Sequence, residues 1–152
     1  MLELRNPHSV LAALKHRPDD VREIRVPAGK PYGTWADVAD IARSQGISVV
    51  AQQVDAEARR GKKTQGKSER IGIATAIVFE HPGIQTPAKL LSTASESDQN
   101  ASGLWLALDC LQDPHNVGAM FRTAAFFGVK GILLTKDRSA PMTGTVYDVA
   151  AG

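Results

Sequence analysis

Apolar positions recur along the chain in two spacings. Within residues 8–16, Val10 and Leu14 stand four apart and Leu11 and Leu14 three apart, which places all three on one helical face. Val21, Ile24 and Val26 alternate loosely with charged residues, as in a half-buried strand. Thr34 opens a second helix: Thr34-Trp35-Ala36-Asp37 has the form of a capping box with Asp in place of Glu. Trp35, Val38 and Ile41 make its apolar stripe, and Gly46 takes the left-handed C-cap position. Residues 47–51 and the β-branched run 71–79 (IGIATAIVF) predict two more strands. Strands separated by helices imply an α/β layer architecture.

Residues 81–103 (HPGIQTPAKLLSTASESDQNASG) break the pattern: only Leu90 and Leu91 interrupt a run rich in Ser, Thr, Pro, Gly and Asn. This composition reads as a linker between a first domain, residues 1–80, and a second, residues 104–152. In the second, residues 104–110 (LWLALDC) predict a buried strand and 112–116 a turn. A helix follows over 117–127, closed by Gly128, and then a strand over 131–134. A β-α-β unit of this kind starts a parallel sheet. Two strands alone leave apolar faces uncovered, so the second domain is expected to be unfinished within these 152 residues.

Composition narrows the class. With 43% hydrophobic and 22% charged residues, the chain is neither fully disordered, nor collagen-like, nor an acidic tail protein. No apolar run approaches the ~20 residues that span a bilayer, and no signal-peptide core is visible, so no membrane partner is expected. Cys110 is the lone cysteine and is expected to be a small buried hydrophobe in its strand; the expected compartment is a reducing cytoplasm. Four scattered histidines and one cysteine offer no metal-ligand spacing. The net charge of +2 hides an asymmetry: residues 1–70 carry 13 basic and 9 acidic side chains, residues 71–152 carry 5 and 7. Within 59–70, Arg59, Arg60, Lys62, Lys63, Lys67 and Arg70 face a single acid, Glu69, among glycines suited to tracking phosphates. The alternative for this stretch is a plain solvated loop, and without aromatic residues it offers no base stacking.

Residues 112–124 (QDPHNVGAMFRTA) hold the candidate chemistry, at the end of a strand and the start of a helix. Asn116 suits the N-cap, and Gly118 permits close approach of a ligand or another backbone. Arg122 follows six residues after Asn116 inside an otherwise apolar run. Taken singly, Asn116 is a cap, Arg122 a snorkelling side chain and Asp113-Pro114 a turn. The residues alone establish a helix N-terminus able to bind an anion.

As a whole, LDCLQDPHNVGAMFRTAAFFGVKGILL followed by RSAPMTGTVYDVAAG closely resembles the first motif of the SpoU (TrmH) RNA ribose 2′-O-methyltransferases, of the SPOUT class. Asp113, Pro114, Asn116, Gly118, Arg122, Thr123, Ala124, Gly128, Arg138, Ser139, Ala140 and Pro141 match in order and spacing. A weaker likeness to that family's substrate-binding domain, an α/β fold shared with RNA-binding ribosomal proteins, runs over His8-Ser9-Val10, Ile24–Val26, Gly46-Ile47 and Gly72. The chain departs from the pattern at Asn6-Pro7, where the family has Gly, and at Arg70-Ile71, which replace His-Gln before Gly72. The sequence ends at Ala150-Ala151-Gly152, before the two motifs that form the family's knot and hold S-adenosylmethionine.

The resemblance implies a ribosomal-protein-like α/β RNA-binding domain followed by the first β-α-β part of an α/β-knot domain. It implies methyl transfer from S-adenosylmethionine to a ribose 2′-hydroxyl, with ribosomal RNA favoured over transfer RNA and a homodimer in the full-length family. Arg122 takes the role of activating the hydroxyl, and Asn116 shapes that site. Arg138 joins the RNA-contacting set, no residue is assigned to the cofactor, and this chain alone is expected to be inactive. A non-catalytic RNA-binding protein is the competing reading. A nucleotide-binding α/β domain ranks last for want of a glycine-rich phosphate loop.

Overall fold

In the computed structural model, which describes residues 1–52, 74–80, 86–89 and 103–151, the first element is a strand too short to show in the sequence, β1 (Leu2–Leu4). Leu2 and Leu4 point into the core while Glu3 stays exposed. Asn6 then caps α1 (Pro7–His16): its side chain accepts a hydrogen bond from the His8 N–H at 3.0 Å, and Pro7 starts the helix. Both are apt, because an Asx cap satisfies an orphan N–H and proline pre-sets the first helical φ. The departure from the family pattern at Asn6-Pro7 thus builds a sound helix start. Val10, Ala13 and Leu14 are buried on the inner face of α1.

The chain divides into two units, Met1–Glu80 and His81–Ala150. In the first, a 3₁₀ turn (Pro18–Asp20) leads into β2 (Val21–Pro27), followed by α2 (Thr34–Ser44), β3 (Ser48–Gln52) and β4 (Thr75–Val78). The sheet order is β1-β4-β2-β3; β2 and β3 run parallel, and β4 lies antiparallel to both β1 and β2. A register shift between Val21 and Glu23 explains the loose alternation of β2. One extra residue at Arg22 turns Val21, Ile24 and Val26 all inward, although Val21 and Ile24 are three apart.

Two expectations for α2 are corrected. The N-cap is Gly33, at φ +60°, with no side-chain cap bond, so Thr34 is the first helical residue rather than half of a capping box. The buried face is Val38, Ala39 and Ala42, with Trp35 half-buried and Ile41 exposed. At 100° per residue, Ile41 sits about 100° round from the centre of that arc. Gly46 does close the helix: at φ +75° its N–H meets the Arg43 carbonyl, and the Ile47 N–H meets that of Ala42.

The second unit holds β5 (Trp105–Leu108), α3 (Pro114–Phe126), β6 (Gly131–Leu134) and α4 (Gly144–Ala150). β5 and β6 pair in parallel from Trp105↔Gly131 to Leu108↔Leu134. β5 is shorter than expected and only half-buried, because Cys110 adopts φ +54° and ends the extended run. α3 packs on α4 around Val117, Ala140 and Val146, with Leu111, Phe121 and Met142 against them. Gly118 makes that approach possible: a Cβ there would lie 2.7 Å from both the Val146 carbonyl oxygen and Val149 Cβ. Among the described residues, no helix is long and apolar enough to cross a membrane.

Candidate functional site

Parallel strands deliver their following loops to one edge, and here those loops are residues 109–113 after β5 and 135–141 after β6. Two hydrogen bonds join these loops, one ties the second to the end of β5, and one lies within the second loop. The Thr135 N–H donates to the Leu108 carbonyl at 3.2 Å, and the Ala140 N–H to that of Leu111 at 2.8 Å. Between these, the Cys110 N–H donates to Thr135 Oγ1 at 3.1 Å, and Thr135 Oγ1 shares a 2.8 Å hydrogen bond with Ser139 Oγ. Each loop carries a non-glycine residue in the left-handed region, Cys110 at φ +54° and Arg138 at φ +55°. Thr135 escaped the sequence reading, and Ser139 entered it only as a match to the family pattern; the trace of their pairing was two hydroxyl residues four apart around a Lys-Asp-Arg corner.

The start of α3 corrects the reading of Asn116. The N-cap is Asp113, whose Oδ1 accepts the His115 N–H at 2.9 Å, with Pro114 as the first helical residue. Asp followed by Pro outcompetes Asn116 because the proline fixes φ one residue after an acidic cap. Asn116 is instead the third helical residue, exposed and without a hydrogen bond to any described residue.

Arg122 is exposed on α3 and pairs with no described carboxylate. The apolar run around it does not bury it, since only Val117, Phe121 and Ala124 face inward. Several of its apolar neighbours lie outside instead: Phe126 is 85% exposed and Phe127 68%, their rings edge to face at 5.3 Å. Asn116 and Arg122 lie about 9 Å apart along the helix axis and about 120° round it. No hydrogen bond or ion pair joins either of them to the other or to Arg138, itself exposed. Gly118 serves the α3–α4 contact rather than a ligand. The basic stretch with Arg59, Arg60, Lys62, Lys63, Lys67 and Arg70 lies outside the described residues.

Cys110 also departs from expectation. It is an exposed free thiol rather than a buried hydrophobe. The Asp109 carboxylate pushes the thiol above its ordinary value, first by hydrogen bonding to it and also by its charge. Among the described residues, no group of three His, Cys, Asp or Glu side chains could hold a metal ion.

With this geometry in place, the likenesses to known proteins have a clear footing. Residues 103–152 match the model of the SpoU rRNA Methylase family. Three relatives named 23S rRNA (guanosine-2′-O-)-methyltransferase RlmB match 95% of the chain. The one from Xanthomonas campestris pv. campestris is 30% identical, that from Bordetella pertussis 33% and that from Acinetobacter baylyi 34%. The chain covers 55% of each, so it spans about half the length of the relatives it matches. Among solved structures, the SpoU methyltransferase AviRb from Streptomyces viridochromogenes, in complex with AdoMet, superposes with a TM-score of 0.66 at 16% identity. That match covers 99% of this chain and 51% of AviRb. An AdoMet-bound rRNA methyltransferase from Sinorhizobium meliloti superposes at 0.57 with 19% identity, over 99% of this chain and 50% of that one. The α/β fold is therefore similar to that of SpoU methyltransferases, and the resemblance read from residues 108–134 and 138–152 agrees with the family match over 103–152.

Proposed function

We propose, from a chain whose residues 103–152 carry SpoU-family sequence, that it acts in the S-adenosylmethionine-dependent methylation of ribosomal RNA at a ribose 2′-hydroxyl. The observation that carries this reading is the match of RlmB relatives over 95% of the chain, which takes in both units. Residues 1–80 act as a ribosomal-protein-like RNA-binding domain, 81–103 as a linker, and 104–152 as the first part of an α/β-knot domain. The working assembly is a homodimer, and the compartment the cytoplasm.

A ribose hydroxyl is a poor nucleophile until its proton is shared or removed as attack proceeds. Arg122 does not take that proton, because a guanidinium stays charged at every accessible pH. It stabilises the negative charge that develops on the 2′-oxygen, while a neighbouring RNA phosphate accepts a hydrogen bond from the departing proton, which passes to solvent. Its exposure and the absence of a partner among the described residues suit the guanidinium to this role. Asn116 shapes the same site, and Arg138 with the basic residues of 59–70 holds phosphates.

S-adenosylmethionine supplies the methyl group when bound. Among the described residues nothing fits it: no buried side-chain nitrogen or oxygen lacks a partner, and α4 already fills the space a Cβ would take at Gly118. No residue of this chain is therefore assigned to it. The test, made on a chain extended to the length of its RlmB relatives, is transfer of a labelled methyl group to a 23S ribosomal RNA transcript, scored as 2′-O-methylnucleoside after nuclease digestion. Arg122→Ala is expected to lower transfer by about 100-fold or more with an unchanged melting temperature. Transfer that survives the substitution would move the role elsewhere. Salt-dependent RNA binding without any transfer by the unaltered extended chain would favour a non-catalytic RNA-binding protein.

A further inference from the structure

We propose that Thr135 is a positioning residue, whose hydroxyl holds the 135–140 loop in the pose that presents Arg138 to an RNA phosphate; this rests on the RNA reading above. Arg138 is an arginine at φ +55°, a backbone conformation that side chains bearing a Cβ avoid unless the surroundings enforce it. The surroundings do enforce it. Upstream, the Thr135 N–H is spent on the Leu108 carbonyl, so only the hydroxyl remains to fix the turn. That hydroxyl reaches both ways, accepting the Cys110 N–H and pairing with Ser139 Oγ immediately after Arg138. Downstream, Ala140 is buried and its N–H is held by the Leu111 carbonyl.

The loop is thus pinned on both sides of one left-handed corner, and at that corner stands an exposed cation with no ion pair to any described residue. Structure of this kind is wasted on a solvated charge but useful for a contact. A loop already ordered in its bound shape loses little entropy when it meets a ligand. Lys136, exposed two residues earlier, adds to the positive field at the corner, and the exposed Asp137 makes no ion pair with Arg138.

The experiment is the salt dependence of binding between the 152-residue chain and a defined RNA hairpin, followed as log K against log salt. Arg138→Ala should reduce the slope by somewhat less than one, the value of a single phosphate left unneutralised. Thr135→Val removes no charge, yet should reduce the slope by the same amount, with no further loss when combined with Arg138→Ala. Thr135→Ser should restore the original slope. Ser139→Ala, which leaves the Cys110 N–H satisfied, gives a second and gentler break of the hydroxyl pair. It should lower the slope with little change in melting temperature.

A Thr135→Val slope equal to that of the unaltered chain overturns the proposal, whether or not the melting temperature falls. So does an Arg138→Ala slope that does not change. Absence of any salt-dependent binding by the unaltered chain is a different result. It removes the RNA reading, and the proposed role of Thr135 with it.

Discussion

Cys110 condenses in one residue what sequence and structure each contribute. Beside apolar Leu111 at the end of the run 104–110, it reads as one more strand position, yet its φ of +54° turns the chain out of β5 and leaves the thiol in solvent. Nothing in composition signals a left-handed cysteine, since the conformation is imposed by the bond from its N–H to Thr135 across the loops. The thiol reports on its neighbour. Asp109 favours the protonated form, so thiolate is scarcer at any given pH than for an ordinary cysteine. The pH profile of alkylation by iodoacetamide should be displaced upward. Asp109→Asn should bring it down and speed the reaction at pH 8. A profile that Asp109→Asn leaves in place would assign the shift to something other than the carboxylate. Asn116 teaches the companion lesson: it is a good cap by type, but Asp113-Pro114 three residues earlier is a better one.

Among the elements, the α3–α4 contact is the most exposed to a small change. Gly118→Ala puts a methyl group 2.7 Å from the Val146 carbonyl oxygen, a backbone atom that cannot swing aside. Overpacking of this kind costs about 1–3 kcal/mol. The substitution should lower the urea midpoint of the second unit by that measure and speed hydrogen exchange along α3, with the sheet of the first unit unaffected. The existence of α1, α2, α3, β2 and β6 was legible because each repeats its period over several residues. β1 was not, because two inward leucines around one glutamate are too few to declare a strand without β4 beside them. Nor was the inward turn of both Val21 and Ile24, which needs the bulge at Arg22 that only pairing with β4 creates.

At the scale of the whole chain, charge is unevenly divided. The excess of basic over acidic side chains in residues 1–70 rests largely on Arg59, Arg60, Lys62 and Lys63 and their near neighbours. Neutralising those four should weaken binding to ribosomal RNA and flatten its salt dependence by about 0.7 to 0.9 for each phosphate no longer neutralised. An unchanged slope would return the stretch to a solvated loop. Physical reasoning alone reached an anion-binding helix start; the roles proposed for Arg122 and Arg138 came from the order and spacing of a dozen matched residues. The geometry could not have been guessed from either, since no hydrogen bond or ion pair joins Asn116, Arg122 and Arg138 to one another. The pairing of β1 has its own consequence for how the protein is made. Leu2 meets Val78 across 75 intervening residues, and closing a loop of that length costs about 4 kcal/mol in chain entropy. On the ribosome, β2, α2 and β3 emerge before β4, the only described partner of β1. β1 is therefore seated only after the rest of its sheet has emerged, and until then Leu2 and Leu4 are open to chaperones.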